Sequence, residues 1–147
     1  MKPFRFRLET LLNFRKIQKE EAQIAFLQAS NELRIQKEKL IDFKEKLAEN
    51  VVFLQERQQQ VLSVEIFKSF QYYFDKMNED IIKQQQIILG KEEECRQCLQ
   101  VLAEAERNYK IVEKFREKKL AHYYFESMAE EQKILDEIGL QIYTREK

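Results

Sequence analysis

Val61-Leu62-Ser63-Val64-Glu65 separates two long heptad series and is the best break the sequence offers between residues 8 and 138. Ser63 is a candidate helix N-cap, because its hydroxyl can accept one of the backbone N–H groups that a helix start leaves unpaired. Glu65 follows in the first turn, where the positive end of the helix dipole favours an acid. Before the break, Phe26, Leu33, Leu40, Leu47, Leu54 and Val61 recur every seven residues, with Leu8, Leu12 and Ala22 upstream and Leu11 at the border. The companion position is weaker: Ala29, Gln36, Phe43, Asn50 and Arg57. After the break a second series runs Phe67, Phe74, Ile81, Ile88, Cys95, Leu102 and Tyr109, accompanied by Phe70, Met77, Gln84, Lys91, Cys98, Ala105 and Val112. A period of seven keeps side chains on one stripe of a helix, and sustained heptads imply packing against another helix.

Two series around one break predict an all-α fold: a long antiparallel two-helix coiled-coil hairpin with an overhanging C-terminal helix. The expected boundaries are one coiled-coil domain over 1–147, helix 1 at about 8–61, a turn at about 62–64 and helix 2 at about 65–140. Folding back at Ser63 sets Leu47 near Asn78, Phe26 near Leu99 and Leu8 near Glu117. Helix 1 is then about 80 Å long and helix 2 about 110 Å, an excess of roughly 20 residues. Beyond Tyr109 and Val112 the phase slips by four, leaving Arg116 and Lys119 on the old stripe. The new stripe reads Leu120, Tyr124, Met128, Leu135, Ile138 and Ile142. Such a stutter locally unwinds a left-handed supercoil. This stripe has no expected cover within the chain, so it is a binding face, a dimer face or a frayed tail.

Composition excludes most other classes. Among 147 residues there are 2 Gly and 1 Pro. Sandwiches, barrels and doubly wound sheets need frequent turns, and phosphate-binding loops need several glycines. The heptad passes through Gly90 in phase, so Gly90 is read as a mid-helix glycine. Twenty-six basic and 26 acidic residues give zero net charge, which argues against nucleic acid as a partner. The charge is uneven, however. Lys2, Arg5, Arg7, Arg15, Lys16 and Lys19 precede residue 20 against one acid, Glu9, while residues 126–137 hold five acids against Lys133. Phe4 and Phe6 interleave with this basic start and could stack bases, but no basic helix face lies elsewhere. No apolar run approaches the ~20 residues that span a bilayer, so no direct membrane insertion is expected. Two cysteines and no export signal point to a reducing cytoplasmic compartment.

No enzyme chemistry emerges, and no cofactor is expected. Cys95 and Cys98 make a Cys-x-x-Cys, yet zinc needs four ligands and no second pair exists. Both fall on the seam and are read as small core residues. His122, the single histidine, is read as a solvated residue. Ile17, Ile24 and Ile35 lie opposite the main stripe of helix 1, as a second grip or as scattered aliphatics. At the start of helix 2, Phe67, Phe70 and Phe74 fit the seam while Tyr72 and Tyr73 do not. Those two tyrosines are a contact hot spot or are absorbed by wider packing at the tip.

Three segments carry a family resemblance. Phe4-Arg5-Phe6-Arg7-Leu8-Glu9-Thr10-Leu11-Leu12-Asn13-Phe14-Arg15 resembles the opening of the flagellar export protein FliJ family. Phe115-Arg116-Glu117-Lys118-Lys119-Leu120 and Glu131-Gln132-Lys133-Ile134-Leu135-Asp136-Glu137 also look like that family, at matching separation. The resemblance covers the whole length. It implies a non-enzymatic cytoplasmic component of the flagellar type III export apparatus, peripherally associated with the inner membrane. Its implied partners are the hexameric export ATPase, the cytoplasmic domain of the export gate and the export substrate chaperones. By the same resemblance, Leu8, Leu11, Leu12, Arg15, Glu117, Lys118, Lys119, Gln132, Asp136 and Glu137 face the ATPase. Tyr73 and Met77, with Phe74 competing, face the gate. Alternatives are a structural parallel coiled-coil dimer acting as scaffold or spacer, and a general coiled-coil chaperone or adaptor.

Overall fold

The computed structural model describes residues 2–57 and 63–146. It contains two helices, α1 (Glu9–Arg57, 49 residues) and α2 (Val64–Glu146, 83 residues). Ser63 caps α2 as its position suggests: its Oγ accepts the Ile66 N–H at 3.3 Å, and its carbonyl accepts the Phe67 N–H at 3.1 Å. Glu65 lies in the first turn. Helix α2 runs past the expected residue 140. The expected end of helix 1 at Val61 and the start of the turn at Leu62 lie outside the described residues.

The chain divides into two compact units, residues 22–102 and residues 1–21 with 103–147. In the first, α1 and α2 lie antiparallel along the heptad seam. Ser30 Oγ meets Cys95 Sγ at 3.5 Å, and Lys91 Nζ reaches Glu32 at 3.0 Å. The Phe53 and Phe70 rings stand 6.2 Å apart. Ala22, Met77, Gln84 and Ile88 are buried, and most of the other described positions of both stripes are half-buried. Arg57 and Phe67 are exceptions, exposed rather than in the seam. A two-helix unit can cover only one stripe of each helix, which is why so few side chains are fully enclosed.

The second unit is also an antiparallel pair. Glu9 bonds Arg116 at 3.1 Å, and the Lys19 ammonium sits 4.2 Å above the Tyr109 ring. Val112 is its buried residue. The half-buried positions then run Arg116, Leu120, Tyr123 and Ser127, so the stutter falls where two four-residue steps meet. Because these intrachain pairs join residues from both ends of the sequence, the chain folds back. The continuous single helix of a parallel spacer is not its fold.

Gly90 sits inside α2, and a Cβ built there meets nothing within 4 Å. Its φ is not positive. Gly90→Ala is therefore expected to stabilise the protein by about 0.5–1 kcal/mol by lowering the entropy of the unfolded chain. A urea titration followed by helix circular dichroism checks this.

Candidate functional site

Residues 2–8 precede α1 without being helical and form a strap against α2. Phe-Arg-Phe-Arg alternates as an extended segment must. Phe4 and Phe6 are half-buried, while Arg5 and Arg7 face solvent. The Phe4 ring lies 5.5 Å from Tyr123, and Phe6 lies 5.9 Å from Phe115. The Tyr123 hydroxyl donates to the Lys2 carbonyl at 2.6 Å, and the Arg116 guanidinium sits 5.7 Å above Phe4. The strap joins α1 through the Glu9 N–H, which donates to the Phe6 carbonyl at 3.2 Å.

This corrects the expectation that α2 lacks an internal partner past Leu120. The strap covers Tyr123, and the internal seam follows 120, 123 and 127 rather than 120, 124 and 128. On a helix, Tyr124 and Met128 sit on the next stripe around. From Met128 to Glu146 every residue is exposed, including Leu135, Ile138 and Ile142. The stripe expected to lack cover there does lack it.

The ten residues expected to face the ATPase do not form one patch. Leu8 is exposed at the strap end; Leu11, Leu12 and Arg15 are half-buried, with Arg15 donating to Gln18 at 3.1 Å. Glu117, Lys118 and Lys119 lie exposed at the same level of α2, and the Lys119 ammonium stands 5.4 Å from the Phe115 ring centre. Gln132, Asp136 and Glu137 are exposed about 20 Å or more further along the helix. Gln132 donates to Asp136 at 3.0 Å. Lys118 and Asp136 are five helical turns apart and so share a face. His122 is solvated, as expected, and its Nε2 lies 2.8 Å from a Glu126 carboxylate oxygen.

The residues expected to face the gate lie in the other unit. Tyr73 is 44% exposed, rests on Phe74 at 6.3 Å and takes a 3.4 Å hydrogen bond from the Asn50 amide. Phe74 is half-buried and stacks on Phe70 at 6.4 Å. Met77, at 8% exposure, belongs to the seam, so of this pair only Tyr73 presents itself to solvent. Tyr72 and Tyr73, with Phe43, Lys46 and Lys76, line an open groove of about 370 Å³ whose floor is Met77. Asn50, a companion-stripe residue in the sequence, is thus the post that holds Tyr73.

The seam carries electrostatic ties of its own. Hydrogen bonds to Glu32 and then Glu94 hold the Lys91 ammonium above the ordinary lysine range, and the Arg96 guanidinium holds the Glu93 carboxyl below the usual carboxylate range. Of these, Lys91–Glu32 crosses between the helices while Glu94 and the Arg96–Glu93 pair lie along α2, and all are solvated and stabilise little. Among the described residues no cluster of His, Cys, Asp or Glu has the grouping of a metal site, and no helix is long and apolar enough to cross a membrane.

The chain matches the family described as Flagellar FliJ protein over residues 4–147. It is 24% identical over 140 residues to a Flagellar FliJ protein of Bacillus subtilis (strain 168), covering 93% of each chain. In fold it is similar to a YscO homologue from Chlamydia trachomatis, with TM-score 0.61, 17% identity, and coverage of 97% of this chain and 96% of that one.

Proposed function

Because this chain belongs to the FliJ family, and so is a non-enzymatic component of the flagellar protein export apparatus, we propose that it works by docking. One end binds the hexameric export ATPase and promotes its assembly and coupling; the aromatic groove binds the cytoplasmic domain of the export gate. Recycling of export substrate chaperones belongs to the same reading, as does a cytoplasmic location at the inner membrane through the apparatus. The observation that carries it is the stretch Met128–Glu146, exposed on every side yet bearing Leu135, Ile138 and Ile142 in a row. An isolated amphipathic helix gains little in water and much from a partner.

The ATPase-facing set supports two contact levels, one at Leu8 and Glu117–Lys119 and one at Gln132–Glu137. Lys118→Glu with Lys119→Glu is expected to weaken co-purification with the export ATPase about tenfold. Tyr73→Ala is expected to weaken gate binding by a similar factor and leave the ATPase complex intact, because the two sets of residues lie in different units. Loss of both interactions in either variant would argue that they are not separate sites.

A further inference from the structure

Strap and helix enclose an open groove of about 1380 Å³. Its floor is apolar, formed by the Phe4–Tyr123 and Phe6–Phe115 ring pairs. Its rim is cationic: Lys2, Arg5 and Arg7 from the strap and Lys119 from α2. Among the described residues the ion pairs of this unit are Glu9–Arg116 and His122–Glu126, so none of those four cations has a carboxylate partner. The chain as a whole is charge-neutral, which makes this local excess a property of the groove. Unpaired guanidinium groups above an aromatic floor are half of a charge-assisted contact.

We propose that this groove seats an acidic polypeptide segment of a partner protein. Carboxylates of that segment meet Arg5, Arg7 and Lys119, and an apolar side chain covers the ring pairs. Leu8 and Lys119 of the groove lining also belong to the set proposed to face the ATPase, whereas Lys2, Arg5, Arg7 and the two ring pairs lie outside both docking sets and carry the proposal. A lipid surface or a nucleic acid fits less well. Phe4 and Phe6, the side chains that would enter a bilayer or stack on bases, are already packed against α2. One end of the groove carries the carboxylates of Glu126 and Glu130, which repel a continuous polyanion but can accept from a peptide's N–H groups or a lysine.

The test uses the full chain and fluorescein-labelled hexapeptides read by anisotropy: Glu-Glu-Leu-Phe-Glu-Glu, its lysine counterpart Lys-Lys-Leu-Phe-Lys-Lys, and Glu-Glu-Gly-Gly-Glu-Glu. Saturable binding of the first peptide is expected, tighter than binding of the other two. Arg5→Glu with Arg7→Glu should weaken it about tenfold and reverse the preference toward the lysine peptide. Both side chains face solvent, and an unchanged circular dichroism spectrum verifies the fold. Any one of three results overturns the proposal: no saturable binding of the acidic peptide at millimolar concentration, equal binding of the two acidic peptides, or indifference to the charge reversal. Tighter binding to phosphatidylglycerol-containing phosphatidylcholine vesicles than to the peptide overturns it in favour of a membrane.

Discussion

Ile88→Asp is expected to cost more than about 4 kcal/mol of folding stability, while Ile82→Asp, six residues earlier on the same helix, changes it by about 0.5 kcal/mol or less. The contrast isolates the seam. Ile88 is 7% exposed and Ile82 is 57% exposed. Burying an isoleucine side chain stabilises by about 1.5–3 kcal/mol, and the aspartate forfeits this. The new carboxylate must then ionise in an apolar site or take up a proton, and either adds a further few kcal/mol. Against the 5–15 kcal/mol typical of a folded domain, this is a large fraction. With so few residues buried, other contacts have little capacity to offset it. Urea titration monitored by circular dichroism measures both variants. Comparable losses at the two positions would mean that the helices do not draw their stability from the stripe.

That stripe was readable before any coordinates because its signal is redundant. Leu33, Leu40, Leu47 and Leu54, and opposite them Ile81, Ile88 and Leu102, repeat one physical requirement at intervals of seven. The register followed from Ser63, a single residue whose side chain can cap a helix start, and the Ser30–Cys95 and Glu9–Arg116 pairs have the spacing that this break dictates. The strap is not legible in the same way. Its cue was a period of two over only four residues, Phe4 to Arg7, too short to separate an extended segment from a charged tail. Tyr123 is hidden for a related reason. After the stutter, two stripes, one through Tyr123 and one through Tyr124, fit the apolar pattern equally well, and only the strap's presence selects between them. Met77 shows the limit of motif spacing. An aromatic followed by an aliphatic four residues later places both on one side of a helix, but does not say that Tyr73 stands at the edge of the seam while Met77 stands within it.

Replacing Gln36 and Gln84 together by leucine is expected to raise the melting temperature while weakening the choice of partner helix. Gln84 is 6% exposed, the one buried polar residue among those described. Its Nε2 donates to the Gln36 carbonyl at 2.9 Å and to the Gln36 Oε1 at 2.7 Å. Those two bonds contribute about 1 kcal/mol each. Two leucines in their place bury apolar surface where amides now sit, worth about 1.5–3 kcal/mol per fully enclosed side chain. The apolar term wins by about 1 kcal/mol, which moves the melting temperature up by roughly 3–6 °C. Specificity moves the other way. The Gln84 amide is satisfied by Gln36 in the antiparallel pairing, and any pairing that sets an apolar residue opposite it leaves a buried donor unpaired at a cost of about 1–3 kcal/mol. A leucine pair removes that penalty at this level of the seam, and a second chain becomes a better competitor for the chain's own other helix. Sedimentation velocity should therefore show a dimer for the double variant where the parent shows one species. Gln84→Ala alone should only destabilise, since it loses both bonds and gains no surface. A double variant that melts lower and keeps one species would show that the glutamine pair contributes stability rather than choice of partner. The docking proposed for Tyr73 and for the exposed end of α2 requires each helix to present a fixed face, and under that proposal a buried amide pair has a use in a seam that leucine would fill more tightly.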